Sequence, residues 1–448
     1  MTDTASVLPA EALLERARQF DRSGQALQAE SLCLRVLDQV PGYPAAALMA
    51  ARFATSRRDL KRAVALLQRA FDLHPGETEL AIQLSLALAA SGNLPAALVP
   101  LEHAVSHAPG SHHAWLILSL VRDRLGDGPA ALRAAYQAVT RAQRAGQWLD
   151  ESSTPPELLA PVVQAIERVR RGRRDLFLGS FAELRAQHGN DALKRMDRAL
   201  AGYLKEIDVA PPDARQRPLF FYFPDLPSPP YHDPALQPWS RRLAAAFPQI
   251  REEALMVLQE DSRSLPDFIP AKSAASPGQY LGGAAARPTW QAFFFYRHGR
   301  RFDDNHARCP ATSSVLESLD LCRIAEQAPE ICFSVLSPQT HIKPHYGVTN
   351  TRLVMHLPLI VPSNCALNLI DAGIHEWVEG ELVMFDDTFL HESWNRSDST
   401  RVIVLMDCWN PHLTAVERQA CTRLIEMISS LKPRGAQATG AAAPDDSP

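Results

Sequence analysis

Pro41-Gly42, Pro75-Gly76 and Pro109-Gly110 recur at intervals of 34 residues (75 − 41 and 109 − 75). Ala29, Ala63, Ala97 and Ala131 keep the same register, and Gly24, Gly92 and Gly126 share a third phase in which Arg58 takes the remaining slot. Each residue type has a mechanical meaning. Alanine lets two helices approach closely, glycine tolerates the left-handed backbone of a tight turn, and proline ends a helix and sets the next turn. The stretch SLALAASGNLPAALVPLEHAVSHAPG (85–110) shows one unit as helix, turn, helix, stop. Such a unit cannot bury its apolar face alone, so residues from about 10 to 145 are predicted to stack as three to four helix pairs.

This period is the tetratricopeptide signature. Residues 1–148 are therefore expected to form an α-solenoid whose concave face takes a peptide or protein partner that the sequence does not name. DESSTPPELLAP breaks the pattern, and 149–215 reads as a helical linker. Its basic cluster Arg168, Arg170, Arg171, Arg173 and Arg174 is read as a solvated helix face rather than a site for an anionic partner. Prolines crowd residues 211–234, predicting an extended strap that lays Phe220, Tyr222, Phe223 and Trp239 on a following β domain at 216–420. Residues 421–448 are expected to be a helix end and a disordered tail from Lys432.

Charge and cysteine usage narrow the class. A net charge of −4 over 448 residues carries no nucleic-acid footprint. No run approaches 18 apolar residues, and the start has no basic region followed by an apolar core, so neither a membrane span nor a secretory leader is expected. Seven scattered cysteines without a CxxC pair fit reduced thiols and a cytoplasmic setting.

The chemistry concentrates between Ser334 and Pro411. His345 and His391 stand 46 positions apart (391 − 345), each at an edge of a β-rich apolar run, and Arg401 opens the strand Val402 to Leu405. The layout suits a small barrel with a metal near its mouth, held by imidazoles, and an anion-binding arginine one strand further on. Taken singly, each histidine reads as a satisfied core residue, and Arg401 as a surface arginine paired with Asp398. The combination favours ligation. His341, four residues before His345, reads as exposed or structural.

IKPHYGVTNTRL, HLPLIVP, the Trp377 to Gly380 turn, FDDTFLHESWN and DCWNPHL occur in an order that resembles the aspartyl/asparaginyl β-hydroxylase family. The resemblance implies a double-stranded β-helix of the jelly-roll or cupin-like kind with flanking helices. It implies Fe(II) on His345 and His391, with 2-oxoglutarate as cosubstrate and O2 as oxidant. Arg401 would hold the distal carboxylate of 2-oxoglutarate, with Ser334 and His356 beside it, and Arg352 would hold either the cosubstrate or a substrate carboxylate. Gly347 stands where the acid of an HxD pair would lie, as in the family, so the iron site would be completed by water. Asp386 or Asp387 as a replacement ligand is the alternative, and an aspartate introduced at position 347 is expected to tighten iron binding or compete with a site water. Asn305, Cys309, Pro310 and Thr312 form a block that also recurs in the family, as a structural loop or a substrate lining. One departure stands out: Val354 replaces a basic residue. The implied reaction is hydroxylation of the β-carbon of Asp or Asn in a peptide. The alternatives are a lipid acyl chain or small amino-acid derivative as substrate, or a scaffold with an inactive barrel.

Overall fold

The computed structural model describes residues 9–261, 264–269 and 277–431, and the chain divides into two compact units between Asp175 and Leu176. That division falls inside the stretch read from sequence as a linker. The tail from Lys432 lies outside the described residues.

In the first unit eight helices form four pairs: α1 (Ala10–Arg22), α2 (Ala26–Gln39), α3 (Pro44–Ser56), α4 (Leu60–Leu73), α5 (Thr78–Ala90), α6 (Leu94–His107), α7 (His112–Arg124) and α8 (Gly128–Arg144). The first helices of the pairs start at 10, 44, 78 and 112 and the second at 26, 60, 94 and 128, so the 34-residue period survives intact into the fold. The four register alanines are fully buried at the crossings. Close approach there lets Ser85 on α5 donate to the Ala97 carbonyl (2.9 Å) and Ser119 on α7 to that of Ala131 (2.9 Å). The turn slot is left-handed in every repeat: φ is 75° at Gly24, 85° at Gly92, 79° at Gly126 and 61° at Arg58. Just after it, Asp59, Asn93 and Asp127 cap α4, α6 and α8 by accepting from the backbone three residues on.

The second unit is a double-stranded β-helix of two antiparallel sheets. Its strands are β1 (Tyr231–His232), β2 (Leu281–Gly283), β3 (Trp290–Arg297), β4 (Arg300–Arg301), β5 (Ile331–Leu336), β6 (Thr340–His345), β7 (Arg352–Ile360), β8 (Cys365–Leu369), β9 (Gly373–Glu376), β10 (Val383–Phe385), β11 (His391–Asn395) and β12 (Arg401–Trp409). The larger sheet runs β1-β10-β7-β12-β5-β3-β4 and the smaller β2-β6-β11-β8-β9. Side chains alternate between faces along each strand. The outward set of the larger sheet, including Phe293, Phe333, Leu353, Met355, Val402 and Val404, packs with Leu243, Ile250, Ala254 and Leu316 of covering helices. The inward set meets the smaller sheet, as where Val383, Phe385 and Ile403 pack with Cys365, Leu367 and Leu369.

The proline-rich strap runs along the barrel. Leu219 N–H donates to the Gly347 carbonyl (3.0 Å), Phe220 N–H to that of Val348 (2.9 Å), and Phe223 and Trp239 are buried. It is less irregular than its proline content suggests, since β1 pairs with β10 at the sheet edge. The helices Ala182–His188 and Lys194–Tyr203 also belong to this unit. Arg423 on the C-terminal helix Ala415–Leu431 pairs with Glu183 (2.7 Å), and Arg195 pairs with Glu417 of the same helix (2.6 Å).

Candidate metal and anion site

His345 ends β6 and His391 begins β11, directly opposite in register. Strict alternation from Ile342, which faces the core, would turn His345 outward. A bulge prevents this: the register shifts between His391 and Ser393, giving β6 one extra residue around Pro344 and bringing His345 back to the face of His391. The two ring centroids lie 4.2 Å apart. His345 Nδ1 lies 2.8 Å from the Lys343 carbonyl and His391 Nδ1 3.0 Å from that of Phe389. A carbonyl only accepts, so each Nδ1 carries its proton and each Nε2 presents a lone pair. Burial pushes the basicity of both rings down, His391 to about 3 with a further contribution from His345, so both are neutral at pH 7. Two neutral imidazoles with free Nε2 atoms at this separation fit a shared divalent first-row metal. Among the described residues, no group of three or more His, Cys, Asp or Glu side chains is gathered for a metal.

The acids beside the pair differ in role. Asp386 is committed to its loop: it accepts from Gln216 Nε2 (2.7 Å) and from the backbone (2.9 Å) and side chain (2.5 Å) of Thr388. Asp387 has its carboxyl against Gly347, where a Cβ added to the glycine would overlap it. An aspartate at 347 would therefore enter only if the Asp387 carboxyl moved aside, a condition the sequence expectation did not include. Burial pushes Asp387 up to about 8, with Asp386 adding to the rise and Arg352 opposing it.

Further into the barrel lies a buried cation that has no counter-ion among the described residues. Arg401 is 1% exposed, its Nη1 makes one long contact with Ser334 Oγ (3.5 Å), and its Nε has no partner. The expected alternative of an exposed pair with Asp398 is overturned, because Arg401 points between the sheets while Asp398 accepts from Gln339 (3.1 Å). Burial lowers Arg401 to about 10. Ser334 lies on the same inner face and accepts from Trp290 Nε1 (2.9 Å). Buried His356 leaves Nδ1 unpartnered. The Phe385 ring lies 5.1 Å from His356 and 5.5 Å from His391, linking the two ends of the site. Sequence reasoning missed Trp377 as a wall of this end. Its ring is 5.1 Å from the Arg401 guanidinium carbon and 5.8 Å from His356, and its buried N–H has no partner.

Arg352 is placed elsewhere. It forms a partly buried ion pair with Asp407, and its strand position is opposite Trp409 at the far end of β12 from Arg401. Eight residues along a strand (409 − 401) span roughly 27 Å. His341 binds Glu392 (2.8 Å) and takes the structural role expected of it. In the 305–312 block, Asn305 donates to the Phe294 carbonyl (2.8 Å) and buried Thr312 to Glu253 (2.5 Å), both within the scaffold.

A double-stranded β-helix with paired imidazoles at one end and a buried arginine inside places a candidate metal site and a candidate anion site between the two sheets. Residues 244–411 match the aspartyl/asparaginyl beta-hydroxylase family, and the C-terminal half of the chain carries a domain of that family. The chain is 31% identical over 208 residues to human aspartate beta-hydroxylase domain-containing protein 2, covering 46% of this chain and 54% of that protein. It is 35% identical over 132 residues to human aspartyl/asparaginyl beta-hydroxylase, covering 29% of this chain and 17% of that one. It is 31% identical over 188 residues to an ornithine lipid ester-linked acyl 2-hydroxylase of Rhizobium tropici, covering 42% and 62%. The chain thus spans about half the length of the first curated relatives it matches, 54% in the human case. A crystal structure of MamA protein aligns with a TM-score of 0.31 and 15% identity over 45% of this chain and 98% of that one. The tetratricopeptide-like character of the first unit is read from its own helices.

Proposed function

We propose that the second unit is an Fe(II)- and 2-oxoglutarate-dependent dioxygenase that hydroxylates a C–H bond. The observation that carries this reading is Arg401, a buried guanidinium with no carboxylate partner. A charge left this way is costly unless a ligand anion completes it, and a fork of N–H donors matches a carboxylate. On this reading Arg401 and Ser334 bind the distal carboxylate of 2-oxoglutarate, with His356 and Trp377 walling the same chamber. His345 and His391 hold the iron through Nε2, their orientation fixed by the Nδ1–H bonds to Lys343 and Phe389. The iron supplies oxygen activation when bound. The overall change balances as R–H + O2 + 2-oxoglutarate giving R–OH + succinate + CO2, one oxygen atom going to each organic product. Phe385, the strap and Trp377 keep water from the chamber, and Asp387 presents a carboxyl on the flank of the imidazole pair.

The name of the human aspartyl/asparaginyl relative supports the β-carbon of Asp or Asn in a peptide as the target. The name of the Rhizobium tropici relative supports an acyl chain. The helical array supports a role in holding a peptide or protein partner. The test is succinate release from 2-oxoglutarate by the full chain with Fe(II) in air. The proposal expects release that stops on chelation of the metal, and metal-independent or absent release counts against it.

A further inference from the structure

The walls of the chamber carry a charge inventory. Among the described inward positions of β5, β7, β10 and β12, the cationic residues are Arg352 and Arg401. Arg352 is partly buried and is neutralised by buried Asp407. Arg401 alone is buried without an anion, and the dioxygenase reading gives it to the cosubstrate. The next inward residue on β7 after Arg352 is Val354, whose cross-strand neighbours are Phe385 on β10 and Asp407 on β12. Val354 packs in the cluster that holds Phe385, Ile403 and Trp377. Phe385 in turn stands 5.5 Å from His391. The wall between the Arg352–Asp407 pair and the imidazoles is therefore apolar at Val354 and Phe385, and the Asp387 carboxyl lies on the flank against Gly347. The rim is mixed: exposed Arg217 lies 5.9 Å from the Tyr346 ring, beside apolar surface. Leu219 is 51% exposed although its backbone is bonded to Gly347, and the Tyr280 ring stands 6.1 Å from His345.

A carboxylate on the carbon to be hydroxylated would be stripped of water at the Val354–Phe385 wall with no free buried cation to meet it. An aliphatic chain meets no such cost and gains by burying its surface on Val354 and Phe385. Resting on the dioxygenase reading, we propose that the substrate presents an uncharged aliphatic acyl chain, not an aspartyl carboxylate, to the His345–His391 pair. The place of Val354, next along the strand from an arginine already paired, gives the chamber a single carboxylate receptor.

The experiment gives the full chain Fe(II) and 2-oxoglutarate and adds either a decanoyl amide or an aspartyl peptide as probe. Succinate formation and the mass of each probe are followed, and 2-oxoglutarate binding is measured separately. The expected result is stimulation by the decanoyl amide, with a product one oxygen heavier, and none by the aspartyl peptide. Val354→Arg should lower the acyl-stimulated rate by about tenfold or more with 2-oxoglutarate affinity unchanged, whereas Val354→Leu should retain it. Hydroxylation of the aspartyl peptide at the higher rate overturns the proposal. So does intact cosubstrate binding with no response to the acyl probe. If 2-oxoglutarate neither binds nor is turned over, the dioxygenase reading fails first and takes this proposal with it.

Discussion

Arg401 shows how a single residue states what its surroundings lack. Its place in sequence, ten residues after His391 at the mouth of a β run, was enough to suggest an anion receptor. The fold adds that no carboxylate among the described residues completes it. Losing one partner of a buried charged pair costs roughly 3–5 kcal/mol, or on the order of a hundredfold to a few thousandfold in affinity. Arg401→Ala should weaken 2-oxoglutarate by that factor. Arg401→Lys, which keeps charge but not the fork, should fall between it and wild type, and metal affinity without cosubstrate should hold in both. A titration of 2-oxoglutarate at saturating metal checks the order. Other contacts at this scale were not legible. Gly347 and Asp387 are 40 residues apart (387 − 347), and only the packed loop shows that one side chain occupies the other's space. Trp377 reads in sequence as part of a turn, because nothing in WVEG signals that its ring lies on a guanidinium from β12.

Elements were legible where a period repeats and obscure where it breaks. The 34-residue spacing foretold three to four helix pairs where the fold has four, and the left-handed Arg58 shows that the turn geometry holds even where glycine is missing. The β strands were legible as alternating apolar runs. The bulge at Pro344 was not, although it decides which way His345 faces, because alternation alone predicts the opposite face. The start of β5 carries a further consequence. Glu330 N–H donates to Asp407 (2.7 Å), and burial together with the negative charge of Asp407 pushes the Glu330 carboxyl up to about 7. A folded-state value above the unfolded one means that the native protein holds the proton more tightly. The stability from this group is full below the ordinary glutamate range and is lost as pH rises through about 7. The metal-free protein should therefore have a lower urea midpoint at about pH 8 than at about pH 5, and Glu330→Gln should flatten that fall. An unchanged slope in the variant would remove Glu330 from the account.

For the whole molecule, the division into two units was legible as a change of period, while its position was not. The helical stretch after 148 has no internal signal that its later helices pack on the C-terminal helix through Arg195–Glu417 and Arg423–Glu183. A fragment of residues 176–431 retains those contacts and should fold and bind metal without the array, checked by circular dichroism and metal content. A fragment starting near 205 lacks the two arginine and glutamate partners in 182–203 and should be less stable. The central claim, that one metal on His345 and His391 and one 2-oxoglutarate on Arg401 meet in the same chamber, has a direct spectroscopic test. Under strictly anaerobic conditions, Fe(II) chelated by 2-oxoglutarate gives a visible charge-transfer absorption that requires both ligands at one centre. The full chain should develop this absorption with one iron per chain. His391→Ala should lose it while keeping its fold, and Arg401→Ala should show it only at far higher 2-oxoglutarate. An absorption of full strength in His391→Ala, or none in the wild-type chain, would contradict the account.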